Sequence, residues 1–257
     1  MDCLIYQYSV IDMRNLIPYF TLGYPDNETL KRFLMAMPIN MINYIEFGFP
    51  SNDPRYDGPT IRKTHRIGND NYDESFYIDI FNYFNDHNIK MYSLSYYSDI
   101  KDIERFAAVL SNLGFSGSII PDLLIDYYDK AFDVINKLNE MHFEYIPFFT
   151  PSTPDNVIKK VSEKTYSWIY YGLQPSTGID IPYDLDYTCN RIFSLVKSRE
   201  INFGFGIKTI EDVSGLIRRG ASGVAIGSYL VNMLDGNDLN GFLDYLKRIR
   251  GALDVES

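Results

Sequence analysis

Eight times along this 257-residue chain a short β-rich run gives way to a longer segment of helical spacing, and that alternation constrains the fold more than any other feature. The candidate strands cover residues 16–22, 41–47, 89–95, 117–121, 143–149, 166–171, 201–205 and 223–226. The helical segments are 27–37, 73–86, 99–113, 126–141, 154–163, 187–199, 210–219 and a C-terminal stretch, 229–253, broken around Gly236. Asp26, Ser98, Asp126, Thr153 and Thr209 stand where N-caps belong, because short oxygen-bearing side chains accept from the unpaired N–H groups of a first helical turn. Strand then helix, eight times over, predicts an α/β fold of the (β/α)8 TIM-barrel kind, with an open doubly wound sheet as the alternative. Such a barrel fills about 250 residues in one domain, and no low-complexity linker divides this chain, so a single domain over residues 1–257 is expected.

The formal charge of -10 opposes any broad attraction to nucleic acid or anionic lipid, both of which favour clustered Lys and Arg. A small molecule or another protein is the expected partner. The two cysteines, Cys3 and Cys189, sit in no CxxC and have no His at ligand spacing, so neither a disulfide framework nor a metal site is expected. The segment MDCLIYQYSVIDMRN lacks a basic stretch followed by an apolar core, and no run reaches the roughly 18 apolar residues of a membrane span. A cytoplasmic chain is the expectation.

Residues 46–61, EFGFPSNDPRYDGPTI, concentrate the chemistry. The preceding MINYI is apolar and β-branched, as a strand buried on both faces requires, so Glu46 lies near that strand's carboxyl end. In parallel α/β folds reacting groups gather at that end. A lone strand-end Glu is usually solvated or paired with Lys or Arg, and an Asp before Gly is usually a turn residue.

Glycine clusters close the last two candidate strands, GFGI at 204–207 and GVAIGS at 223–228. Glycine lets backbone N–H groups approach an anion, and a following helix adds about half a positive charge at its N-terminus. Barrels commonly hold phosphate in the loops after strands seven and eight, although glycines also serve tight turns with no ligand. The loop 172–181, GLQPSTGIDI, reads either as a closing flap or as a plain surface connection.

The order of PYFTLGYP (18–25), IEFGFPSNDPRYDGPTI (45–61), GFSGSIIPDLL (114–124), FFTPSTPDNVIKKVSEKTYSWIYYGLQPSTG (148–178), GFGI (204–207) and GASGVAIGSYLV (220–231) resembles the α subunit of tryptophan synthase through nearly the whole chain. The resemblance implies retro-aldol cleavage of indole-3-glycerol phosphate to indole and glyceraldehyde 3-phosphate without cofactor or metal. It implies a β-subunit partner, and pyridoxal phosphate belongs to that partner. Glu46 matches the general acid/base and Asp57 the acid that holds the indole N–H. Gly178, Gly206, Gly227 and Ser228 match the phosphate cradle. Phe20, Tyr96, Ile119, Phe149, Thr177 and Phe205 are expected in the substrate pocket, Asp122 in support, and Asp53 and Pro54 at the β-subunit contact. An apolar mouth would raise the Glu46 pKa by desolvation.

The chain departs from the family pattern in four places. An N-terminal covering helix is reduced to about residues 5–13, and RKTHRIGNDNYDES lacks the family's Ala-rich helix. LQPSTG lacks an arginine and carries Pro175, and Leu124 replaces a proline. Two alternatives remain, another phosphate-binding barrel enzyme or a mainly non-catalytic activating subunit.

Overall fold

The computed structural model describes residues 13–174, 184–207 and 209–254. Its strands are β1 (Asn15–Thr21), β2 (Tyr44–Gly48), β3 (Lys90–Leu94), β4 (Phe115–Ile119), β5 (Glu144–Ile146), β6 (Phe148–Phe149), β7 (Ile169–Gly172), β8 (Ile201–Gly204) and β9 (Gly223–Ile226). All pairings are parallel, in the order β5-β4-β3-β2-β1-β9-β8-β7-β6. The two edge strands of that order, β5 and β6, are consecutive in the chain and separated by Pro147 alone, so the sheet curls into a nearly closed barrel. The expected strand 143–149 is therefore split. Proline has no N–H to give to a ladder, and its carbonyl accepts instead from Tyr170 N–H at 3.0 Å. The first half pairs back to β4 and the second forward to β7.

The described residues form ten helices around this barrel: α1 (Asn27–Ala36), α2 (Pro59–Asn71), α3 (Glu74–Asp86), α4 (Ile103–Asn112), α5 (Tyr128–Glu140), α6 (Asp155–Ser162), α7 (Leu185–Leu195), α8 (Ile210–Arg218), α9 (Ser228–Asp235) and α10 (Leu239–Leu253). Asp26 and Thr209 cap α1 and α8 as expected, the second in a reciprocal capping box with Asp212. The other three expected caps are corrected. Asp102 rather than Ser98 caps α4, and α6 begins after Pro154, not at Thr153. Asp126 gives its carboxylate to Tyr56 and Arg55 instead of to α5.

The segment RKTHRIGNDNYDES, although it lacks an Ala-rich run and is not among the expected helices, supplies most of helix α2. Pro59 opens it, at the position where a missing N–H costs nothing. Ile61, Thr64, His65 and Gly68 are its buried stripe, with the spacing of one helical face. Gly68 is required there, since a Cβ would stand 2.5 Å from the Leu22 carbonyl oxygen. The postulated N-terminal helix lies outside the described residues except for Met13.

Strand residues alternate between two apolar layers. Ile17, Tyr19, Tyr92, Leu94, Ile119 and Tyr170 pack inside the barrel. Leu16, Phe20, Phe47, Phe149 and Tyr171 pack with the helices. At the amino end of the barrel, Trp168 stacks on Tyr44 at 5.9 Å and meets Tyr92 edge-on at 5.4 Å. No helix among the described residues is long and apolar enough to cross a membrane.

Candidate active site

At the carboxyl end of the strands lies a cavity of about 280 Å3 lined by Glu46, Asp57, Tyr19, Tyr170, Phe205, Gly206, Gly227 and Ser228, among others. Glu46 reaches it from β2 and is 1% exposed. Its Oε1 has no hydrogen-bond partner, and burial pushes its pKa well above the ordinary glutamate value. Nothing nearby offsets the lost hydration, so the proton-bearing form is favoured.

Asp57 precedes the first turn of α2. Its N–H donates to the Pro54 carbonyl at 3.1 Å, and its own carbonyl accepts from Arg62 Nε at 2.6 Å. The carboxylate is buried, and its Oδ2 accepts from the Tyr96 hydroxyl at 2.8 Å. Asp122 anchors the chain just after Tyr96, accepting from Tyr97 N–H at 2.7 Å and Ser98 N–H at 3.1 Å. Burial raises the Asp122 pKa, and those backbone donors oppose the rise.

Three tyrosine hydroxyls, from Tyr19, Tyr96 and Tyr170, surround the two carboxylates. Desolvation is the largest cause of their raised pKa values. The carboxylates add to it, Asp57 for Tyr96, and both Asp57 and Glu46 for Tyr19 and Tyr170. All three therefore remain hydrogen-bond donors.

The glycine-rich side of the cavity differs sharply between its two helix starts. The N-terminus of α8 is closed by its own Thr209–Asp212 box, with Glu211 adding negative charge. Helix α9 has Gly227 as N-cap, no side-chain cap and no acid in its first turn, so its N–H groups face the cavity rim unopposed. Gly206, Gly227 and Ser228 come together here. Gly178 and Thr177 lie outside the described residues.

Phe20 and Phe149 are corrections. Phe20 packs against Phe242 of α10 at 6.1 Å, and Phe149 belongs to the same outer layer. Their neighbours Tyr19 and Phe148 point inward. Tyr19 is paired in register with Glu46, and residues paired across parallel strands share a face. An inward Glu46 was thus the signal that would have selected Tyr19. Ile119 lies inside the barrel, and Phe205 lines the cavity. His65 and Tyr170 were not singled out from the sequence at all.

Asp53 and Pro54 sit on the outer rim, beside a shallow cleft shared with Arg62 and Arg66. Asp53 pairs with Arg55, whose guanidinium also reaches Asp126 at 3.2 Å. No cluster of three or more His, Cys, Asp or Glu suited to a metal occurs among the described residues.

A parallel barrel whose strand ends bring two buried carboxylates and an open helix N-terminus to one cavity defines a (β/α)8-barrel enzyme. A family model described as tryptophan synthase alpha chain matches residues 9–248. The chain is 32% identical to the tryptophan synthase alpha chain of Sulfurisphaera tokodaii, over 95% of this chain and 99% of the relative. It is 31% identical to that of Saccharolobus solfataricus, over 93% and 96%. The solved tryptophan synthase A-subunit of Pyrococcus furiosus superposes with a TM-score of 0.80 at 27% identity, covering 92% of this chain and 98% of that one. The structure of Mycobacterium tuberculosis tryptophan synthase shares the fold, with a TM-score of 0.82 at 19% identity over 95% and 94%. The chain belongs to the tryptophan synthase alpha chain family.

Proposed function

We propose that this chain is a carbon–carbon lyase of tryptophan biosynthesis that cleaves indole-3-glycerol phosphate to indole and glyceraldehyde 3-phosphate. The observation that carries the reading is Glu46, a desolvated carboxyl group without a partner on Oε1, facing the same cavity as the buried Asp57. In its protonated form Glu46 delivers a proton to indole C3. Positive charge then develops at the indole nitrogen, whose N–H is held by Asp57. Removal of the proton from the adjacent glycerol hydroxyl breaks the carbon–carbon bond, and the bonding pair returns to the ring. Indole and an aldehyde result, and the hydroxyl proton passes to the Glu46 carboxylate, restoring its acid form.

Gly206, Gly227 and Ser228 hold the phosphate at the open N-terminus of α9, with Gly178 as a fourth member. The chemistry requires no cofactor of this chain's own. The chain is one barrel domain acting in the cytoplasm, and it docks a β subunit that carries pyridoxal phosphate and consumes indole. Asp53 and Pro54 stand at that contact. Neither nucleic acid nor membrane is a partner.

Incubating the purified chain with indole-3-glycerol phosphate, without metal or partner, and quantifying indole tests the reading. Indole from the wild type, with a loss of about 10²-fold or more in Glu46→Gln, is the expected result. No indole even after a tryptophan synthase β subunit is added would overturn it. Stimulation of that β subunit without cleavage would leave a mainly activating subunit.

A further inference from the structure

Asp57 is approached by a second side chain to which the reaction above gives no part. His65 on α2 is fully buried. Ser51 N–H donates to its Nδ1 at 3.0 Å, which leaves Nε2 as the nitrogen that carries hydrogen. That Nε2 stands 3.6 Å from Asp57 Oδ2 and 3.4 Å from the Tyr19 hydroxyl oxygen. The ring meets Tyr96 edge-on at 6.3 Å. Tyr96 and His65 thus converge on one oxygen of Asp57, and among the described residues no hydrogen bond falls on Oδ1.

We infer that His65 is a positioning residue, a neutral donor locked in its Nε2–H tautomer by Ser51, which fixes the Asp57 carboxylate so that Oδ1 faces the cavity. The inference rests on the lyase reading and adds a residue to its site. A carboxylate held by Tyr96 alone still rotates about Cβ–Cγ and presents either oxygen. A second donor from another direction sets its plane. Distances of this kind are commonly long without substrate and shorten in the working complex. Because Ser51 opens the segment that carries Asp53 and Asp57, the imidazole also ties that segment to α2.

The test compares kcat and KM for indole-3-glycerol phosphate cleavage by the full chain in three variants. His65→Leu removes the acceptor for Ser51 and the Nε2–H that faces Asp57 and Tyr19. His65→Asn keeps an acceptor for Ser51 but does not reach Asp57, and it serves where the Leu variant fails to fold. His65→Gln places its amide nitrogen where Nε2 stood. Leu and Asn variants are expected to lose about tenfold to a hundredfold in kcat, with Gln recovering most of the loss. An Asn variant with wild-type kcat, or a Gln variant as slow as Asn, would overturn the inference while leaving the lyase reading intact. If the wild type releases no indole, the lyase reading fails on its own. Imidazole nitrogen NMR then judges the geometry without turnover. An Nε2–H tautomer whose signal moves on Asp57→Asn supports the contact, and an Nδ1–H tautomer refutes it.

Discussion

Glu46→Gln should stabilise this protein, and by more as the pH rises. The side chain is 1% exposed, its Oε1 is unpartnered, and desolvation is the cause that lifts its pKa well above the usual value. In the unfolded chain it titrates near a pKa of about 4.3. Between that value and the raised folded value the native state holds a proton that the unfolded state has released. Unfolding free energy then falls with pH, at up to about 1.4 kcal/mol per pH unit for one proton. The stability tied to this group is fully present below the unfolded pKa and is lost as pH rises through the folded one. Gln has the same shape and cannot ionise, so any burial cost of its amide is constant with pH, and every other titrating group cancels in the comparison. Urea melts of wild type and Glu46→Gln at several pH values give the difference directly. In thermal melts the same slope should correspond to about 3 °C of Tm per pH unit for a chain of this size. A difference that is flat with pH, or that shrinks as pH rises, would refute a desolvated Glu46.

The remaining expectations concern the cavity walls and two helix ends. A Cβ at Gly48 would meet two Tyr19 ring carbons at 2.7 and 2.9 Å, and the Tyr19 hydroxyl closer still. Gly48→Ala should therefore cost about 1–3 kcal/mol in urea melts. Tyr19→Leu added to it should restore most of the loss, and Tyr19→Phe little. Ser228→Asp places a negative charge at the open end of α9 and should raise KM for the phosphorylated substrate with kcat nearly unchanged. An unaltered KM would misplace the phosphate. Thr209→Ala removes one half of the α8 capping box and should lower stability by about 0.5–2 kcal/mol, read from the same melts.

The barrel was legible because parallel strands buried on both faces leave unbroken apolar runs, and the acidic loop was legible because its motif is so specific. What escaped has physical reasons. A run buried on both sides does not say which residues face inward, so Phe20 and Phe149 were chosen where Tyr19 and Phe148 point into the barrel. Helix α2 escaped because its buried stripe contains Thr64, His65 and Gly68, and only Ile61 announces itself as core. His65 and Tyr170 escaped with it, since a polar atom inside an apolar layer acquires meaning only from what the fold sets opposite. The break in the fifth strand rests on the single residue Pro147. Asp126 reads as a cap in sequence because its partners, Arg55 and Tyr56, lie 70 or more positions away.

The aromatic floor of the barrel gives the molecule its own optical reporter. Trp168 is the chain's single tryptophan and is 5% exposed. It lies with its neighbour Tyr170 on one side of the Pro147 interruption in sequence, whereas Tyr44 and Tyr92, whose rings it also meets, lie on the other. Those contacts form only when the two runs of strands have come round to meet. Its emission therefore follows closure of the cylinder rather than local helix formation. Because it sits at the end opposite the carboxylates, a ligand entering among them reaches it only through Tyr170, and refolding can be timed with the catalytic end occupied or empty.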